Sequence, residues 1–410
     1  MRSKRLFLVL AVVLLLLLAA GCGASPTPTP EVVEKVVVQT QVVEKTVKET
    51  TVVEVMVTPT PEPKPEVATT IRVDSLSESG GKNFVDMVVN PFAKELGVDI
   101  NVELGTYGSQ DEWLAQVRAA PGEHCIALYV SDFGLYNGVN QELLLPFRLE
   151  NIPNYSNLAD NVENRVIVSG DDNAYVATLD LGMYTFVYAK DELSERPTSY
   201  APLFDPKYAG RIALRDYGLY RIFQTAAYLG LDPNNLSDAD VDQIFNTMAE
   251  QQKLTRAYWQ SSAQLDGLLA NREVWMADYW FDTVTKPGED GTNKLDQLDI
   301  GWWFPEEGGP IWSGGPVIAA GCPDPERYTA ELLINYLLQK DVYLNYAKAN
   351  GYIPTLDTSL YDSAAFFAEN PYRAAYRDAI LNTGILLDVA NVLTHQDAWN
   401  ERYEEMKLGN

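Results

Sequence analysis

The sequence predicts a mixed α/β protein in two lobes, built on a mostly parallel sheet. From residue 70 onward, short apolar strands alternate with amphipathic helical stretches, the pattern of strands that pair in parallel through helical crossovers. The chain has 410 residues, 46% of them hydrophobic, which is more than one core usually serves. No repeat of solenoid period competes with this reading.

The first segment is an address. Residues 1–21 carry Arg2, Lys4 and Arg5, then an apolar run over 6–20, then Gly21 and Cys22. A charged start, a short apolar stretch and small residues before a cut make a secretory signal. The run has about 15 residues, short of the roughly 20 that a membrane-spanning helix needs. A Cys directly after Ala20-Gly21 resembles the bacterial lipobox, in which the Cys is lipidated and becomes the mature N-terminus. Residues 22–67 then read as a tether. Pro-Thr repeats favour extended, hydrated backbone, and between them Val-Val-Glu-Lys occurs at 32–35 and again at 42–45 with no lasting heptad. Self-association through these valines is the alternative to a plain tether.

The body follows in order. Strands are expected at 71–73, 98–104 and 125–130, the last apolar enough for burial on both faces, with helices at 84–96 and 113–119 between them. Further strands are expected at 184–189, 273–280 and 317–320, and a helix at 223–229. One long helix from about 327 to 349 should stop at Asn350-Gly351.

Charge and motif remove several functions. With 31 Lys and Arg against 57 Asp and Glu, the net charge of −26 offers no clustered positive surface for nucleic acid. Cys22, His124, Cys125, Cys322 and His395 lack the spacing of a metal site. Signatures of nucleotide, serine-hydrolase and zincin chemistry are absent, and no cofactor is expected. Asp238, Asp240 and Asp242 suggest a calcium loop, but Gln243 stands where its Gly belongs and Ala249 where its Glu belongs. Ser237 followed by Asp240 reads instead as a helix start.

What remains is aromatic. Trp275, Tyr279, Trp280 and Phe281 interleave with Asp278 and Asp282, and Trp302, Trp303, Phe304 and Trp312 surround Pro305-Glu306-Glu307-Gly308-Gly309. Trp302 and Trp303 are adjacent on a strand, so they point to opposite faces and one belongs to the core. Trp312 sits in a Gly- and Pro-rich stretch where a strand should not persist, which presents its ring as a wall for a flat or cationic ligand.

The body, residues 70 to 405, resembles the spermidine/putrescine-binding proteins of bacterial ABC importers. The matching stretches include Leu203-Phe204-Asp205-Pro206-Lys207-Tyr208-Ala209-Gly210, Phe304-Pro305-Glu306-Glu307-Gly308-Gly309 and Asn350-Gly351-Tyr352-Ile353-Pro354-Thr355. Shorter matches are Tyr155-Ser156-Asn157-Leu158, Ile222-Phe223-Gln224 and Glu273-Val274. The resemblance implies an α/β, two-lobed periplasmic-binding-protein fold with a ligand cleft between the lobes and hinge closure around the solute. It implies lobe 1 from 68–180 plus 313–358 and lobe 2 from 181–312 plus 359–408. It carries stacking roles to Trp280 and Trp312, and a cleft role to Tyr352. Ser131 and Phe133 match a Ser-x-Tyr pair, with Phe in place of Tyr. Asp216 falls near the family's amine-binding acid, and Ser77-Glu78 stand where the family has Trp-Thr. Asp282 is a further candidate for a ligand charge.

Gly314 departs from the family: polyamine binders hold an ammonium there with a carboxylate. Because an enclosed ammonium needs a paired acid, a ligand with one cationic end is expected over a long polyamine. The expected function is an extracytoplasmic lipoprotein that captures a small, cationic organic solute and delivers it to an ABC permease. It is a monomer, anchored through Cys22 at the outer face of the bacterial cell membrane or in the periplasm. The alternatives are a carbohydrate-binding protein of the same class, and a surface hydrolase using Asp278 and Asp282, which at i and i+4 share a face on a strand or a helix. Ferric-ion capture lacks the paired Tyr ligands it expects. Outside the cytoplasm Cys125 and Cys322 are free to pair, and the sequence leaves that question even.

Overall fold

Among the described residues, eleven segments extend into strands, and the computed structural model joins them in one sheet. It describes residues 66–159, 173–286, 288 and 291–409, all within one compact unit, Pro63–Asn410. The signal segment 1–21, Cys22 and the tether up to residue 65 lie outside the described residues.

The strands are β1 (Thr70–Ser75), β2 (Asn101–Thr106), β3 (Ile126–Ser131), β4 (Leu144–Leu145), β5 (Asp180–Ala189), β6 (Ile212–Arg215), β7 (Thr255–Trp259), β8 (Met276–Trp280), β9 (Ile300–Trp303), β10 (Gly309–Ala319) and β11 (Gly384–Leu386). The order across the sheet is β2-β1-β3-β10-β5-β8-β6-β7, with β4 and β11 on β10 and β9 on β5. The two ends are parallel, as strand–helix alternation predicts: β1 with β2 and β3, and β6 with β7 and β8. The middle is antiparallel. β10 pairs with β3 over Gly314 to Ile318 and with β5 over Ile311 to Gly314. From Tyr184 onward β5 has left β10 and pairs with β8 and β9. Two long strands therefore carry the sheet from one half to the other.

Most expected elements form, with informative differences. The first helix starts earlier, at Glu78, because Ser77 caps it by accepting from Gly80 N. It stays helical to Leu96 through a π-turn at Val85–Val89, which opens room ahead of Pro91, whose ring would otherwise meet the preceding turn. The long helix expected from 327 is two helices, Asp324–Leu337 and Lys340–Asn350. No Pro or Gly marks the break. Gln339 turns extended, and Asn157 Nδ2 donates to the freed Leu338 carbonyl at 3.0 Å. Gly351, at φ 80°, ends the second helix as expected. Ser237 and Asp240 form a reciprocal capping box, so the acidic run begins a helix.

The Trp312 stretch overturns its expectation: Gly309–Ala319 is an eleven-residue strand. Its glycines suit a central strand here because neighbours take the space their side chains would need: the Tyr129 ring at Gly314 and the Ala177 backbone at Gly315. Trp303 is fully buried and Trp302 only partly, as their adjacency requires. Cys125 and Cys322 are bonded, with Cα atoms 4.7 Å apart, which settles the open pairing.

Candidate ligand-binding site

The site begins with three strands in register. Gly314 on β10 lies opposite Asp180 on β5 and opposite Ser131 on β3. Directly opposed residues send their side chains to the same face, so Asp180 and Ser131 flank a position that itself carries no side chain. The reason is Tyr129. A Cβ on Gly314 would stand 2.8 Å from both Cε1 and Cζ of that ring and 3.1 Å from Ser131 Cβ. Two residues along β10, Trp312 lies opposite Gly182 in the same way, and its indole covers the place a Cβ would take there.

Aromatic rings extend this surface. Trp312 meets Tyr184 edge-on at 5.3 Å and Tyr220 at 5.8 Å. Tyr184 in turn stacks on Trp280 at 6.3 Å, with planes 26° apart. Trp280 is held from behind by Trp259, edge-on at 5.1 Å, and by the Arg215 guanidinium 5.1 Å from its ring centre. The two indoles singled out in the sequence thus belong to one aromatic surface, bridged by Tyr184. Tyr352 joins it from the segment after the Lys340–Asn350 helix, its ring 5.9 Å from that of Tyr129.

Three carboxylates meet this surface. Asp132 accepts from Ser313 N at 3.0 Å and from Ser313 Oγ at 2.8 Å; burial raises its pKa to about 6 despite those bonds. Asp282 follows β8 and touches the backbone at Gly351, and burial raises it also to about 6. Asp180 accepts from Ile353 N at 2.8 Å and is pushed well above the usual carboxylate range, chiefly by burial, with the charge of Asp282 adding to it. None of the three has an ion-pair partner among the described residues. The Tyr129 hydroxyl is near enough to Asp180 to favour its charge, yet it is buried and makes no hydrogen bond of ordinary length among those residues.

The other expected residues are placed differently. Asp216 takes an ammonium of the protein's own: Lys407 Nζ at 2.8 Å, with Gln260 Nε2 at 3.0 Å and Tyr403 Oη at 3.2 Å. Burial alone would raise its pKa, but these partners hold it below the ordinary value. Phe133 packs on the apolar cluster of Leu219, Ile222, Trp399 and Tyr403. Ser77 and Glu78 are exposed at the C-terminal end of β1; Ser77 bonds only to its neighbours, and neither reaches the three carboxylates through a hydrogen bond or ion pair.

Asp278 and Asp282 do not share a face. Asp278 is 1% exposed on β8, where its Oδ1 accepts from Arg215 N at 2.7 Å and Trp259 Nε1 at 2.9 Å. The chain changes from strand to helix at Phe281, so Asp282 turns elsewhere. The carboxylate pair of the hydrolase alternative is not assembled. No group of three His, Cys, Asp or Glu suited to a metal occurs among the described residues.

Residues 87–375 match the family of bacterial extracellular solute-binding proteins, well over half of the chain. The chain belongs to that family. No curated protein matches it by sequence. Among solved structures, the PotD lipoprotein of Treponema pallidum is similar at 16% identity and TM-score 0.68, covering 83% of this chain and 99% of its own. The spermidine/putrescine ABC transporter substrate-binding protein PotD of Streptococcus pneumoniae follows at 14% identity and TM-score 0.64, with 83% and 99% covered. AgtB of A. tumefaciens R10, solved with agropinic acid, stands at 16% identity and TM-score 0.62, with 84% and 100% covered. The fold of this solute-binding protein is accordingly the two-lobed α/β fold, with β5 and β10 as its crossing strands. No helix among its described residues is long and apolar enough to cross a membrane.

Of the residues brought together here, sequence reasoning had singled out Ser131, Trp280, Asp282, Trp312 and Tyr352, but not Tyr129, Asp132 or Asp180. Two signals were available. Asp132 sits between two residues that the resemblance singled out, and Asp180 is the one charged residue in the stretch 174–189.

Proposed function

We propose that this protein is the substrate-binding lipoprotein of an ABC importer, capturing a small organic cation between its lobes and passing it to a permease. The observation that carries this is a set of three carboxylates beside aromatic rings, Asp180 buried and Asp132 and Asp282 half-buried, none of them in an ion pair among the described residues, with only the more distant Lys286 acting on Asp282. A buried carboxylate without a counter-charge is costly, and a cationic solute removes that cost on binding. Indole and phenol faces add cation–π attraction. Spermidine/putrescine-binding relatives of the same fold support the ligand class, and the lipobox at Cys22 supports the anchor.

In this reading lobe 1 comprises 68–180 and 313–358, and lobe 2 comprises 181–312 and 359–408. Ser131, Trp280, Trp312 and Tyr352 contact the ligand with the three acids, Ser77 and Glu78 border the mouth, Asp216 orders Lys407, and the protein acts as a monomer. The preference for a single charge, argued from Gly314, loses its basis, because Asp180 stands opposite that glycine on the same face.

Native mass spectrometry of freshly purified protein, followed by calorimetry with amines of one, two and three charges, tests the proposal. A carried-over or titrated amine binding at micromolar affinity or tighter is expected. Binding of an uncharged sugar in preference to every amine overturns it.

A further inference from the structure

We infer that the ammonium seat of this cleft is built on a crossing strand, from Asp180, Asp282 and the Tyr129 hydroxyl, and that it selects a primary amine. The inference rests on the reading of the cleft as a cation site and names the chemistry of that site.

The register comes first. On the row shared by β3, β10 and β5, position 314 has no side chain and gains one only if the Tyr129 ring, 2.8 Å from its Cβ position, moves aside. Asp180, directly across, is the acid on that row, and Cβ atoms of opposed residues are about 5 Å apart. The strand neighbouring Gly314 therefore supplies a carboxylate to the face that Gly314 leaves bare.

The second observation is independent of charge. Tyr129 Oη is buried and without a hydrogen bond of ordinary length, although phenol hydroxyls taken out of water nearly always find a partner. It is a polar atom beside Asp180, close enough to favour that carboxylate's charge. Asp180 is itself only 7% exposed, with one side-chain hydrogen bond, from Ile353 N, and no ion pair among the described residues. Asp282 is near enough for its charge to act on Asp180 and on Tyr352.

The donor count then sets the ligand. A primary ammonium has three N–H donors and no acceptor, which matches two carboxylates and one phenol oxygen. A quaternary ammonium has the same charge and no donor, so it leaves the phenol unsatisfied and gains only the unspecific part of the attraction. Asp216 offers no such seat, since Lys407 already occupies it.

Titration calorimetry with putrescine, its analogue trimethylated at both nitrogens and 1,4-butanediol tests this on the unmodified protein, Asp180→Asn and Tyr129→Phe. Tyr129→Phe keeps the ring that packs at Gly314, so it reports on the hydroxyl even where Asp180→Asn fails to fold. Expected are putrescine bound more tightly than the analogue by about tenfold or more, a loss of about 30-fold in Asp180→Asn and a loss of about fivefold in Tyr129→Phe. In Tyr129→Phe the preference for putrescine over the analogue should narrow. Putrescine bound equally well by all three proteins overturns the seat while leaving the cation reading standing. Failure of the unmodified protein to bind any amine overturns both.

Discussion

Placing an acid at position 314 separates two accounts of how this cleft holds charge. If the family's carboxylate is simply missing, Gly314→Asp restores it and spermidine binds better. If Asp180 already supplies that charge, the substitution adds a second carboxyl to an occupied place. The steric part is small. Bringing the Tyr129 ring from 2.8 Å to an ordinary 3.4 Å needs a shift of about 0.6 Å. That is a swing of roughly 7° at the end of the side chain, well short of a ~30° departure costing about 0.5–1.5 kcal/mol. The electrostatic part is larger. Two carboxylates about 5 Å apart across the strand pair repel by about 3 kcal/mol at an effective dielectric of 20. Asp180 and the introduced acid would therefore resist carrying two charges at once, so the second carboxyl adds little to what the pair offers a cation. Calorimetry with spermidine at pH 7 should show a gain of less than about threefold for Gly314→Asp. In an Asp180→Asn background the same substitution should recover most of the lost affinity, because the charge has only changed strands. A tenfold gain from Gly314→Asp alone, or no recovery in the double variant, refutes the reasoning.

Three other outcomes are expected. Gly182→Ala should weaken amine binding several-fold by driving the Trp312 indole off its seat, and should do almost nothing in a Trp312→Ala background; additive effects in this double-mutant cycle would remove the contact from the site. Binding should weaken as pH falls: Asp132 and Asp282 have folded pKa values raised to about 6, so each is mostly protonated at pH 5, and affinity should drop about tenfold per contacting acid between pH 7 and 5. The same shifts make the ligand-free protein more stable at low pH, because the folded state binds protons more tightly than the unfolded one. This stabilisation is full below about pH 4 and lost as pH rises through about 6, at up to about 3 kcal/mol per group, so melting should be higher at pH 5 than at 7.5 without ligand and a flat profile would count against the buried acids. Cys22→Ala should move the protein to the soluble fraction after cleavage or leave an unprocessed precursor; normal lipid labelling of that variant would exclude Cys22 as the anchor.

The sheet was legible because its evidence is local. Apolar runs at 71–73, 125–130 and 184–189 became β1, β3 and β5 within a few residues, since such runs have no other way to bury both faces. Gly309–Ala319 was not legible, because its five glycine and proline positions speak against a strand unless one knows that the Tyr129 ring and the Ala177 backbone close on Gly314 and Gly315. The site divided in the same way. Trp280, Trp312 and Tyr352 lie in motifs that resemble a family, whereas Asp180 matters through its register against Gly314, across 134 residues of chain that no local pattern spans. Asp216 shows the converse: a matching position in sequence, but a carboxylate whose counter-charge comes from Lys407, 191 residues away.

The bond between Cys125 and Cys322 spans 197 residues, and what it encloses is nearly everything the cleft needs. The chain leaves the first half of the sheet along β3, builds the second half and returns along β10, and the staple joins the two ends of that excursion. The stretch from β3 to β10, which includes most of the far half, is thus a covalent ring hung from the near one. Such a ring removes about 5 kcal/mol worth of unfolded-chain freedom in the loop-entropy picture, and it confines that gain to one part of the molecule. The far half can loosen and refold without its ends drifting apart, while the tethered half keeps its place. A member of an extracellular solute-binding family gains by this a second half that always has its way home.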